Sequence, residues 1–232
     1  MTALVEFEHV TKQYGSQKAL NDLSFTLEPG KIYGFLGPNG SGKSTAIKII
    51  NDLLQPMSGT VLINGKAPGV ESKKIISYLP DRNYLSDWMK VEDTFKLFRD
   101  FYADFDYKRA EEMLHSLSID ITARLKTLSK GTLEKVQLIL IMARRAQLYV
   151  LDEPIAGVDP AARDYILQTI LSNYGEDSSI LISTHLITDI EKILDEVLFI
   201  QNGQIVLRGA VDDIRADHGK SIDGLFREVF RC

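Results

Sequence analysis

The sequence predicts an α/β fold: one core built on a mixed sheet and interrupted by a helical insert. Three observations lead there. Short strand-like runs parted by turn signals fill the first 80 residues, helical periodicity replaces them over 81–145, and strand-like runs return from Leu148 onward. The expected division is a single domain over 1–232, with a core of 1–80 and 146–232 and a helical part of 81–145.

The early strands are expected at 4–10, 23–27, 31–36, 60–63 and 74–79, with Pro29-Gly30 and Asn64-Gly65 as turns between runs. A helix is expected over 45–53. Val91, Phe95, Phe98, Tyr102 and Phe105 recur at intervals of three and four, which places one apolar stripe on a helix. Further helices are expected over 107–117 and 132–145. Strands follow at 148–151, 179–183, 197–201 and 204–208, the last two joined by the hairpin signal Asn202-Gly203. Ile222, Leu225, Phe226, Val229 and Phe230 mark a final amphipathic helix, expected to pack on the chain's own core.

Composition narrows the function classes. With 44% hydrophobic and 25% charged residues, the chain can bury a sizeable core. A net charge of −5 argues against nucleic acid as partner, since that footprint is basic. The one cysteine, Cys232, permits no internal disulfide, which fits a reducing compartment. The first residues lack the basic and apolar blocks of a secretion signal. The most apolar stretch, 136–143, falls far short of the roughly 20 residues that cross a bilayer, so membrane contact is expected through a partner or the surface.

Gly37-Pro38-Asn39-Gly40-Ser41-Gly42-Lys43-Ser44-Thr45 fits G-x-x-x-x-G-K-[ST] between an expected strand and an expected helix. Such glycines let backbone N–H groups turn toward an anion at a helix N-terminus. The residues expected around phosphate are Asn39, Gly40, Ser41, Gly42, Lys43, Ser44 and Thr45. Lys43 would reach the β- and γ-phosphates, and the Ser44 hydroxyl would ligate Mg²⁺. A Gly-rich turn with a solvated lysine is the bland alternative, and the strand–helix context weighs against it. Leu148-Tyr149-Val150-Leu151-Asp152-Glu153-Pro154 reads as an apolar strand ending in two carboxylates. Ligands of open parallel sheets gather at such strand ends. Asp152 is expected to face the Mg²⁺, with Glu153 as general base for water attacking the γ-phosphate.

Around these motifs the chain resembles the ABC ATPase family. Leu128-Ser129-Lys130-Gly131-Thr132 looks like the family's signature loop, 23 residues upstream of Asp152 counted from Ser129. Tyr14 sits where an aromatic ring stacks on adenine. Ala156-Gly157-Val158-Asp159-Pro160 resembles the D-loop, and His185 matches the switch histidine at the γ-phosphate; His9, His115 and His218 read as ordinary structural histidines. The resemblance implies a P-loop NTPase core of ABC type, with an N-terminal antiparallel β-subdomain beside the mixed sheet. It also implies ATP and Mg²⁺ as cofactors and a head-to-tail dimer in which Ser129, Gly131 and Asp159 serve a shared nucleotide. The partners implied are a membrane-spanning transporter subunit on a separate chain and a second ATPase copy, in a homodimer or heterodimer. The expected location is the cytoplasm, peripheral on the inner face of the cell membrane. Ser77-Tyr78-Leu79-Pro80-Asp81 and Phe101-Tyr102-Ala103-Asp104-Phe105-Asp106 look closest to bacterial single-domain subunits of the antibiotic- and peptide-export type.

Two departures from the family pattern matter. Asp81 stands where the family has a glutamine that touches metal and water, and it is expected as a metal ligand. Lys130 and Thr132 replace Gly and Gln in the signature loop, and Lys130 reads equally well as a phosphate contact or a solvated side chain. These changes favour slow turnover in the isolated subunit. Tyr84, Leu85, Trp88 and Met89 fit an interface or the interior of the insert equally. Two other readings stay open: an ATPase acting on a soluble assembly, and a nucleotide-gated scaffold with little turnover.

Overall fold

The computed structural model describes residues 3–156, 160–175 and 177–230. Its strands fall into two sheets. β1 (Val5–Tyr14), β2 (Gln17–Leu27) and β4 (Ser58–Ile63) pair antiparallel in the order β2-β1-β4. β3 (Ile32–Leu36), β5 (Ile76–Leu79), β6 (Leu148–Asp152), β7 (Ser179–Thr184), β8 (Glu196–Gln201) and β9 (Gln204–Ala210) form a second sheet, ordered β5-β6-β7-β3-β8-β9. Its neighbours run parallel except β8 and β9, so the sheet is mixed as expected. The helices are α1 (Lys43–Ile50), α2 (Val70–Ile75), α3 (Val91–Phe101), α4 (Tyr107–Ser116), α5 (Lys130–Met142), α6 (Pro160–Asn173), α7 (Ile187–Ile190), α8 (Val211–His218) and α9 (Ile222–Phe230).

Every residue of β3, β6 and β7 is buried, which is why each strand carries a central apolar run rather than an alternating pattern. The pleat then sorts them onto two faces. Tyr33, Phe35, Val150 and Leu181 pack with Ala46 and Ile47 of α1 and with the antiparallel sheet. Ile32, Leu36, Leu151 and Ile182 face the other way, into an apolar cluster that also contains α3, α5 and α9. Each such side chain contributes roughly 1.5–3 kcal/mol on full burial. No described residue between β5 and β6 joins the six-stranded sheet, and α3, α4 and α5 occupy that interval. There Val91, Phe95 and Phe98 form the buried stripe of α3, with Phe95 edge-on to Tyr107 at 5.7 Å between ring centroids.

Element ends differ from the sequence reading for local reasons. α1 starts at Lys43, because Gly42 at φ 115° turns the chain straight into the helix. The strand expected from residue 74 begins at Ile76, since α2 occupies the polar stretch before it. α5 starts at Lys130 because the Ser129 hydroxyl accepts the Thr132 N–H at 3.2 Å. It stops at Met142, where Arg144 leaves the helical path to bond the Lys74 carbonyl (2.8 Å) and the Asp104 carboxylate (3.0 Å). α2, α6, α7 and α8 are absent from the sequence expectations. The 202–203 hairpin forms as read, with both residues at positive φ. Phe226 and Phe230 of α9 pack on Phe199 of β8, so the C-terminal stripe covers the core. The aromatic and methionine cluster divides: Leu85 and Met89 are buried, while Tyr84 and Trp88 are exposed. Among the described residues no helix is long and apolar enough to cross a membrane.

Candidate functional site

The loop from Gly37 to Gly42 joins the end of β3 to the start of α1, at the carboxyl edge of the sheet. Space dictates two glycines, and at Gly42, with φ 115°, the dihedral angle does so as well. A Cβ on Gly37 would lie 2.3 Å from the Ile200 carbonyl oxygen, and one on Gly42 would lie 2.5 Å from that of Ala19. The loop wraps its own lysine: the Lys43 ammonium donates to the carbonyls of Gly37 (2.6 Å) and Pro38 (3.1 Å). Burial pulls the Lys43 pKa down, against the attraction of Glu153 and Asp152. The Ser41 hydroxyl is buried in this loop with no hydrogen-bond partner among the described residues. A cleft of about 410 Å³ is lined by Tyr14, the loop 39–45, Asp81, Asp152 and Glu153.

β6 delivers the two carboxylates. Asp152 is buried and pairs across the sheet with Ser183, whose hydroxyl donates to its Oδ1; Ser44 is a second side-chain donor. Burial pushes the Asp152 carboxyl up, the charges of Asp81 and Glu153 add to this, and the two serine hydrogen bonds oppose it. Glu153 turns out of the strand at φ 53°, its N–H bonded to the Ser183 carbonyl at 2.9 Å. Its carboxylate accepts the Thr184 hydroxyl at 3.0 Å and meets His185 Nδ1 at 3.0 and 3.1 Å. The parallel register Asp152↔Ser183 produces this, because it sets the two residues after β6 beside the two after Ser183.

Most of the residues expected from the sequence therefore meet. Tyr14, half exposed at the end of β1, shares the cleft with Asn39, Gly40, Ser41, Gly42, Lys43, Ser44, Thr45, Asp81, Asp152 and Glu153, and His185 reaches it through Glu153. Ser129 and Gly131 stand apart: they form the capped start of α5 and do not line this cleft. Lys130 is largely solvated and lies 3.9 Å from Glu134, one turn along α5. Asp159 lies outside the described residues. Sequence reasoning gave no role to Ser183 and Thr184. The available signal was an apolar run ending in two hydroxyls, set in parallel with a run ending in two carboxylates.

A family model described as ABC transporter matches residues 20–156, more than half of the chain. Among relatives, the ABC transporter ATP-binding protein YtrB of Bacillus subtilis (strain 168) is 32% identical over 222 residues, covering 94% of this chain and 75% of that protein. The ABC-type transporter ATP-binding protein EcsA of the same organism is 29% identical over 242 residues, covering 98% and 96%. A solved structure described as an ATP binding subunit of an ABC transporter superposes with a TM-score of 0.88 at 28% identity, over 97% of this chain and 99% of that one. A bacterial Atm1-family ABC exporter with ATP bound reaches 0.80 at 20% identity, covering 97% of this chain and 41% of that one, and shares the fold.

Proposed function

The chain belongs to the ABC transporter ATP-binding family, and we propose that its nucleotide site is the cleft of Tyr14, the loop 39–45, Asp152 and Glu153. As an ATP-binding and hydrolysing subunit, it drives transport through membrane components of a transporter. One observation carries the placement of the site: the ends of β3 and β6 converge on one cleft, with a cation following the first and carboxylates from the second, which the end of β7 holds by hydrogen bonds.

Each residue has a role there. Tyr14 stacks on the base. Lys43 exchanges the carbonyls of Gly37 and Pro38 for phosphate oxygens, and the buried Ser41 hydroxyl supplies a further hydrogen bond to the anion. Ser44 and Asp152, already sharing a hydrogen bond, present the oxygen donors that Mg²⁺ prefers, and Asp81 adds a third on the same cleft. Bound there, the ion would offset charge on the β- and γ-phosphate oxygens. Among the described residues no three acidic, histidine or cysteine side chains form a metal cluster of their own, and nucleotide and water would complete the ligand set of a bound ion. Glu153 takes a proton from the attacking water as its oxygen bonds to the γ-phosphorus and the bond to the bridging oxygen breaks. His185 and Thr184 hold the Glu153 carboxylate in place.

Ser129, Gly131 and Asp159 are assigned to nucleotide held by a second subunit, which accords with Ser129 and Gly131 lying away from the chain's own cleft. The membrane-spanning partner is assigned to the exposed side of the helical part, near Tyr84, Trp88 and Phe101, with the chain peripheral on the inner face of the cell membrane. Glu153→Gln tests the assignment. Turnover should fall by about 10²–10⁴-fold while Mg-ATP still binds, and light scattering should show a dimer that persists. Monomer alone at saturating Mg-ATP would remove the shared-site model, and fast turnover by dilute wild-type protein would contradict dependence on assembly.

A further inference from the structure

β1 turns into β2 through Gly15 and Ser16, with Tyr14 directly opposite Gln17 and Gln13 opposite Lys18. Opposite side chains of an antiparallel pair share a face, about 5 Å apart at Cβ, and adjacent pairs alternate faces. The two pairs differ in what they bond. Gln13 Nε2 donates to the Gly15 carbonyl at 2.5 Å and the Lys18 ammonium to Asn21 Oδ1 at 3.0 Å, so that pair serves the hairpin itself. Tyr14 and Gln17 instead line the 410 Å³ cleft, and among the described residues nothing bonds the Gln17 amide. Ala19, two residues further along β2, lines the same cleft, and its carbonyl lies against Gly42 at the start of α1. β2 therefore runs along the cleft from the glycine-rich loop at Ala19 to Gln17, which stands level with the Tyr14 ring.

We propose that Gln17 reads the edge of the base stacked on Tyr14 and selects adenine over 6-oxo purines. The inference rests on the site assignment above. Stacking on an aromatic ring tolerates every base, because each has a π-face, so Tyr14 fixes the plane of the base and not its identity. A glutamine amide carries a donor and an acceptor side by side. Adenine presents the matching pair, an amino donor at the 6-position beside the N7 acceptor, whereas guanine presents two acceptors, O6 and N7. A 6-oxo purine therefore leaves the Gln17 side-chain oxygen without a donor. Position along β2 decides which part of the nucleotide is read: Gln17 is level with the stacking ring, and Ala19 lies nearer the phosphates.

The test measures Kd for Mg-ATP, Mg-GTP and the magnesium complex of inosine triphosphate by calorimetry. It uses the full chain and the variants Gln17→Leu, Gln17→Lys and Tyr14→Ala; both positions are exposed, so the variants keep the fold. Wild type should bind ATP about 5- to 10-fold tighter than either 6-oxo nucleotide, the lower end of what an amide–adenine pair provides, because the site is open to water. Gln17→Leu should bring the three affinities within about twofold by weakening ATP. Gln17→Lys, whose ammonium donates to O6 and N7, should reverse the order in favour of the 6-oxo nucleotides. Tyr14→Ala should weaken all three by a similar factor. Equal affinities in wild type, an ATP preference kept by Gln17→Leu, or inosine triphosphate bound as tightly as ATP would overturn the proposal. Failure of wild type to bind Mg-ATP, or affinities indifferent to Tyr14→Ala, would remove the site assignment as well. Loss of all three affinities in Tyr14→Ala with unchanged ratios in Gln17→Leu would remove only the role of Gln17.

Discussion

Among the described residues two cations are buried, one at the junction of insert and sheet, the other in the glycine-rich loop before α1. Arg144 is only 2% exposed and fully engaged: it bonds Asp104 and the backbone carbonyls of Lys74 and Ile76, and its guanidinium lies 3.8 Å from the Tyr102 ring centroid. Lys43 is 7% exposed and has two carbonyls of its own loop, with no carboxylate in ion-pair contact among the described residues. Burial depresses its pKa. Arg144 is a charge the chain has finished neutralising. On the proposed function, Lys43 is held ready for an anion that comes from outside. Structural and functional charges are distinguished here by how completely the chain answers them.

The largest expected effect breaks the finished site. Arg144→Leu should cost about 3–5 kcal/mol in urea unfolding, because Asp104 and the carbonyls lose their donor together. Lys43→Met should leave stability unchanged or raised, and weaken Mg-ATP binding by about 10- to 150-fold, the loss of charge-assisted bonds of about 1.5–3 kcal/mol. Equal destabilisation by the two substitutions would end the contrast.

The contrast also explains what the sequence made legible. Lys43, Ser44, Asp152 and Glu153 could be read because a phosphate loop needs a local pattern of glycines, and a buried parallel strand ends visibly where its apolar run stops. Arg144 carries no such mark: its partners lie at positions 73–76 and 104, which only the tertiary fold brings near. Ser183 and Thr184 were hidden for the same reason, since their contacts depend on the β6–β7 register. Tyr84, Leu85, Trp88 and Met89 look alike as a sequence, and burial alone separates them.

A smaller effect tests whether the carboxylate side of the site is likewise incomplete. Burial raises the Asp152 pKa above the ordinary aspartate value of 3.8, so the native state holds this proton more tightly than the unfolded chain. Stability from this group therefore falls as pH rises through the window above 3.8. Asp152→Asn should be more stable than wild type at neutral pH by about 0.5–2 kcal/mol, as is common when a functional charge is removed. The advantage should shrink as pH drops toward the aspartate value. Mg-ATP should raise the melting temperature of wild type and not of the variant. An advantage that persists unchanged in acid would mean that the carboxylate's charge is not what costs stability.

The smallest effect on the isolated chain concerns side chains that its own interior does not use. Trp88 and Phe101 are 71% and 76% exposed, whereas their neighbours Leu85 and Phe98 are buried at 8% and 7%. A monomer gains almost nothing from the exposed pair, so Trp88→Ser and Phe101→Ser should shift stability by no more than about 0.5 kcal/mol. Turnover of the isolated chain should also hold, since neither residue lines the nucleotide cleft. If the two rings meet a membrane partner, recovery of a multi-span membrane protein with the tagged chain from mild-detergent extracts should fall in these variants. Phe98→Ser gives the control, because it places a hydroxyl in the aromatic cluster with Tyr102 and Phe105 and should destabilise the chain before any partner is considered. A large stability loss from Trp88→Ser or Phe101→Ser would show that the exposed rings belong to the chain's own packing. Unchanged stability with undiminished recovery of the membrane protein would place the partner elsewhere on the surface.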